Sequence, residues 1–191
     1  MTYKSHIAAW PVPAIAAATG VLYVLIAAPA LGTANASAPM ILASAGLAAG
    51  LSILTAIDLK TMRLPDVWTL PLIALGLILA ALLDWQPGLL ERALAAAGAF
   101  AAFWVLDAVY FALRQRPGLG LGDAKLFAAA GAWLGAGALS SVLLYASISA
   151  LIYALALQVR GAKIGAGTAI PFGPFLALAI WLVWIYGPIA V

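Results

Sequence analysis

Apolar positions along the chain gather into long continuous stretches, separated by short segments rich in turn formers or charge. A helix needs about 20 residues, at 1.5 Å of rise each, to cross a bilayer. Seven stretches approach or exceed that length: residues 9–31, 40–57, 67–83, 89–113, 123–134, 138–159 and 170–190. The fifth is short. Its 12 to 15 residues cover about 18–22 Å, less than a hydrocarbon core of about 30 Å. The pattern predicts an all-α, polytopic membrane helix bundle of about seven spans (six to eight), forming one integral membrane domain over residues 1–191.

Composition agrees. Hydrophobic residues make up 66% of the chain and charged residues 8%. A soluble domain carries about 45–50% apolar and 25% charged residues. The excess is what a lipid-facing surface demands, since every outward helix face must be apolar. The lipid bilayer is therefore an expected partner. Nucleic acid is not, because no basic run or aromatic-interleaved basic stripe occurs.

The net charge of +3 reads as topology. Lys and Arg concentrate on cytoplasmic loops. With the N-terminus and Lys4 inside, Lys60, Arg63, Arg114, Arg116, Lys125, Arg160 and Lys163 also fall inside. Arg92, beside Asp84 and Glu91, is the one basic residue on the outer side. The expectation is a multi-pass protein with a cytoplasmic N-terminus. Lys4, the apolar run after it and Ala34-Asn35-Ala36 resemble a secretory signal, but the run is long for one and reads as a retained first span. Gly46-x-x-x-Gly50 and Gly131-x-x-x-Gly135 have the small-residue spacing that lets helices approach closely.

Candidate chemistry lies in the acids. There are six: Asp58, Asp66, Asp84, Glu91, Asp107 and Asp123. Asp84 and Glu91 read as solvated loop charges. Asp58 closes the second stretch and Asp123 opens the fifth, 65 residues later (123 − 58), at one edge of the membrane. Two carboxylates at one depth on different helices can form a hydrolytic dyad, one taking a proton from water while the other donates to the scissile carbonyl. A lone acid at such an edge also serves as a helix cap or interfacial charge, but acids at membrane depth are costly and mark function. Gly118, Gly120 and Gly122 clear side chains from the approach to Asp123, which admits an extended peptide or a close neighbouring backbone. No metal or cofactor is implied: the chain has no cysteine, and His6 is its one histidine. The same facts exclude a Ser–His dyad and an HExxH zinc site.

Gly120-Leu121-Gly122-Asp123-Ala124-Lys125 resembles the GxGDxK motif of the type IV prepilin leader peptidases, a branch of the GxGD intramembrane aspartic proteases. Asp58-Leu59-Lys60-Thr61-Met62-Arg63-Leu64-Pro65-Asp66, followed by Thr69-Leu70-Pro71, resembles that family's first aspartate block. Lys125-Leu126-Phe127 and Gly131-Ala132-Trp133-Leu134-Gly135 resemble its continuation, and Ile170-Pro171-Phe172-Gly173-Pro174-Phe175 its C-terminal signature. The resemblance runs over roughly residues 45–180. It implies an aspartic endopeptidase that removes the basic leader from prepilins or pseudopilins, after a glycine, at the cytoplasmic face of a bacterial inner membrane. It places the catalytic aspartates on Asp58 and Asp123, with Gly120, Gly122 and Lys125 as motif support.

Lys125 could tune Asp123, bind substrate, or snorkel to the interface. Asp66 reads as a cap on the third span. Asp107 reads as a buried, hydrogen-bonded acid or as part of a water cavity. Such a cavity, open to the cytoplasm and walled by Asp58 and Asp123, is expected beside the short fifth helix. Pro171 and Pro174 read as helix-starting prolines. Many family members also N-methylate the new N-terminus using S-adenosylmethionine, and those carry a domain with paired CxxC motifs after the first span. Here that interval is 32–39, so the chain resembles a short form with methyltransferase activity in doubt.

Three alternatives stay open from sequence. A lipoprotein signal peptidase would want its dyad at the outer face. A proton-coupled transporter should depend on Asp107. A non-enzymatic pilus or secretion assembly component should tolerate loss of both acids.

Overall fold

The computed structural model describes residues 11–31, 37–115, 120–161 and 170–189. Lys4, His6, the 34–36 tripeptide, Arg116, Gly118 and Lys163 lie outside the described residues. Among the described residues there are seven α-helices and no strand. They are α1 (Val12–Leu31), α2 (Ala38–Thr61), α3 (Asp66–Leu82), α4 (Leu89–Arg114), α5 (Leu121–Leu134), α6 (Leu139–Val159) and α7 (Gly173–Tyr186), with a 3-10 turn at Ala136–Ala138 before α6. Each predicted stretch is one helix. By length and apolarity, Val12–Pro29, Ala38–Thr61, Leu89–Arg114 and Ala136–Val159 can each cross a membrane, while Asp66–Leu82 and Gly173–Tyr186 are shorter apolar helices. The protein is an all-α membrane bundle.

Helix ends shift by up to four residues from the sequence reading, most of all at the close of α2 and at both ends of α7. Helix α2 continues four residues past 57, closing where Met62 turns left-handed (φ 51) and its N–H reaches the Asp58 carbonyl at 2.8 Å. Asp58 therefore sits inside the last turn of α2. Helix α7 starts at Gly173 instead of 170, with Pro174 in its first turn as expected but Pro171 ahead of the helix, and stops at Gly187 (φ 82).

Helix α5 is the axis of the bundle, packed against α3, α4, α6 and α7. Leu126, Ala128, Ala129, Ala130, Ala132 and Trp133 are all buried, which covers every side of the helix. A helix apolar all round belongs inside. Its 14 residues can be fewer than a span needs because its surroundings are protein. Lipid-facing surface falls elsewhere. Val24 and Leu25 on α1, Leu106 and Val109 on α4, and Leu151 and Ile152 on α6 are half-exposed or more.

Both small-residue pairs do pack helices. A Cβ on Gly50 would lie 2.8 Å from Leu72 of α3, and one on Gly46 3.4 Å from Leu75. A Cβ on Gly131 would lie 2.6 Å from the backbone of Ala95 and Ala96, so α4 and α5 touch main chain to main chain there. Gly135 (φ 81) adds a left-handed exit from α5 against Pro87.

At this end of α5 the lone basic residue of the predicted outer side proves buried. Arg92 donates through Nε to the Pro87 carbonyl at 2.8 Å, through Nη2 to Gln86, and through Nη1 to the carbonyls of Ala132 and Trp133. Those last carbonyls have no partner within α5, because a helix leaves its final four acceptors open. The guanidinium also lies 5.3 Å from the Trp85 ring centroid. Trp85, Trp133 and Trp184 cluster around it, with ring centroids 5.3–6.2 Å apart. Asp84 and Glu91 are exposed, as expected.

Candidate active site

At the opposite end of α5, three helix ends converge. Helix α2 finishes there, and α5 and α7 begin there. Asp58 lies in the last turn of α2 and is 4% exposed. Asp123 is the third residue of α5, after the extended N-cap Gly120, and its N–H donates to the Gly120 carbonyl at 2.9 Å. Both acids therefore stand at the end of the bundle where α2 finishes and α5 begins. The structure thus brings together the two acids that stand 65 residues apart in sequence.

The two motif glycines do different work. A Cβ on Gly122 would lie 2.8 Å from the Cβ of Leu64 and 3.2 Å from its backbone nitrogen. Gly122 thereby lets the turn between α2 and α3 press on the start of α5. A Cβ on Gly120 would lie 3.5 Å from Oδ2 of Asp123 and 4.0 Å from the Gly122 nitrogen, both ordinary contacts.

Lys125 is paired with a third acid. Its Nζ donates to Oδ1 of Asp66, the first residue of α3. Asp66 does not cap α3, since Pro65 holds the N-cap position. It forms an ion pair that ties the start of α3 to the start of α5 instead. Asp107 is half-buried within an otherwise exposed stretch of α4.

Sequence reasoning did not single out Gly173. Its N–H donates to Oδ2 of Asp58 at 3.1 Å, inside the protein and across 115 residues of chain. The signal was present as a glycine next to a helix-starting proline.

The type IV leader peptidase family model matches residues 45–155, which include both acids and the GxGD segment. The chain belongs to the type IV leader peptidase family. Among its relatives are proteins named prepilin leader peptidase/N-methyltransferase. The one from Dichelobacter nodosus is 40% identical over 69% of this chain and 44% of its own length. Those from Neisseria gonorrhoeae and Escherichia coli K12 are 41% and 42% identical, over 72% and 69% of this chain and 46% and 60% of their own lengths. The chain thus spans roughly half the length of these leader peptidases. No solved structure matches it. The matched residues run from within α2 to within α6, and α7 with Gly173 lies beyond them.

Proposed function

We propose that this chain is an aspartic endopeptidase that removes the leader from type IV prepilins or pseudopilins, with Asp58 and Asp123 as its catalytic pair. The observation that carries this reading is the placement of two acids from separate helix ends at one end of the bundle, in a member of the leader peptidase family, with a glycine beside the Asp123 carboxylate. In the working state one carboxyl is ionised and the other protonated. The ionised group takes a proton from a water molecule as that water attacks the scissile carbonyl carbon. The protonated group donates to the carbonyl oxygen. Collapse of the tetrahedral intermediate then sends a proton to the leaving amine and restores the pair.

The site belongs on the cytoplasmic side of a bacterial inner membrane. Lys60, Arg63 and Arg114 cluster at the ends of α2 and α4, where the positive-inside rule puts basic residues, and they mark the end of the bundle that holds both acids. An enclosed, short α5 opening on a glycine-bearing entry lets water reach the acids from that side. The Asp58–Asp123 pairing favours a peptidase over a transporter centred on Asp107.

The test is leader cleavage of a prepilin in membranes by wild type, Asp58→Asn and Asp123→Asn, with insertion checked for each. Loss of either acid lowers the rate by at least about 10²–10⁴-fold, the contribution expected of a general acid or base. Full-rate cleavage by either variant would overturn the pair.

A further inference from the structure

Resting on the reading of Asp58 as catalytic, we infer that Gly173 is its positioning residue: the first amide of α7, and the absence of a side chain there, hold the Asp58 carboxylate toward Asp123. The opening of α7 is built to leave one inward donor. A helix begins with amides that no residue of its own can accept from. Here the second position is Pro174, which has no N–H. The amides of Phe175 and Leu176 both donate back to the Phe172 carbonyl, at 3.1 Å each. That leaves the Gly173 amide to point out of the helix, and Asp58 Oδ2 takes it at 3.1 Å.

The contact also requires glycine. A Cβ at residue 173 would lie 2.6 Å from Oδ2, 3.0 Å from Cγ and 3.3 Å from Cβ of Asp58. Real Cβ atoms do not approach so near, and Gly173 is itself buried, so the added carbon has no free direction. The carboxylate would have to rotate or the helix end retreat. Gly173 shows no positive φ that would explain its identity. Room for Asp58 does. A buried carboxyl with one oxygen tethered has its plane fixed, and the fixed plane aims the other oxygen. Fixing orientation before reaction is where much of the rate comes from, and misplacement of about 1 Å can cost on the order of 100-fold.

The experiment compares wild type, Gly173→Ala, Asp58→Ala and the double variant in detergent, reading melting temperature, with kcat and KM for leader cleavage measured on the first two and on Asp58→Asn. A second form replaces Gly173 by glycolic acid through cell-free translation, removing the N–H and adding no atom, so a Gly173→Ala that fails to fold does not end the test. The expected result is a kcat lower by about 100-fold in both position-173 variants with KM within about threefold, the pattern of lost orientation. Gly173→Ala also lowers the melting temperature less in the Asp58→Ala background than in wild type, because the colliding carboxylate is gone. Equal loss in both backgrounds would overturn the contact. Coupled stability with unchanged kcat would overturn the positioning role. If Asp58→Asn is inactive while both position-173 variants are not, the Gly173 inference alone falls. If Asp58→Asn cleaves normally, the catalytic reading of Asp58 falls and the positioning role with it.

Discussion

Gly120 and Gly122 stand two residues apart in one motif, yet the packing asks different things of them. Alanine at 122 drives a methyl group into the backbone and Cβ of Leu64, and overpacking of this kind costs about 1–3 kcal/mol. Gly122→Ala should lower the melting temperature and cleavage together. Alanine at 120 meets the Asp123 carboxylate and the Gly122 nitrogen at ordinary distances, so Gly120→Ala should melt like wild type and lose activity through a crowded approach to the acid. Thermal melts run beside cleavage assays separate the two. A matching pair of effects would show that both glycines act on the fold alone. The sequence made both residues visible as a motif and left their division of labour hidden, because nothing local says that Leu64 arrives against one of them. Gly173 was hidden for the same reason, since its partner is a side chain on a helix far away in the chain.

At the scale of elements, hydrophobic patterning located every described α-helix, because lipid and protein interior both select apolar runs. Patterning says nothing about which ends touch. The Lys125–Asp66 ion pair is such a meeting of ends, joining the starts of α5 and α3. Asp66 is 56% exposed, so the pair adds little to stability, on the order of 0.2–1 kcal/mol as for exposed pairs generally. Its expected value is in register. Lys125→Met and Asp66→Asn should each reduce cleavage severalfold with nearly unchanged melting, and the exchanged pair Asp66→Lys with Lys125→Asp should recover much of the loss. Failure of the exchange to recover activity, with normal folding, would mean that Lys125 acts on substrate or on Asp123, as the motif alone allowed.

For the whole molecule, the two ends of α5 are held by different means: acids, glycines and an ion pair at one, a buried arginine among tryptophans at the other. Arg92→Met leaves the last carbonyls of α5 without donors in a buried setting, at about 1–3 kcal/mol per group. It should lower the melting temperature substantially, and Arg92→Lys should not restore it, because one ammonium cannot span the Pro87, Ala132 and Trp133 carbonyls that the planar fork reaches. Refolded or stabilised protein should still cleave, since both acids lie at the far end of the bundle. Charge counting marked Arg92 as an exception to a rule, but it could not show that the exception is a structural clamp.

The enclosure of α5 has a consequence for how the chain is made. A segment of 14 residues that carries Asp123 and Lys125 offers the insertion machinery little to recognise by itself. The tight Gly135 exit and the 3-10 turn at Ala136–Ala138 join it directly to the long apolar α6. During synthesis α5 is therefore expected to enter the membrane as one arm of a hairpin with α6, and the end of the bundle that holds both acids is complete only after α7, which brings Gly173 to Asp58, has emerged.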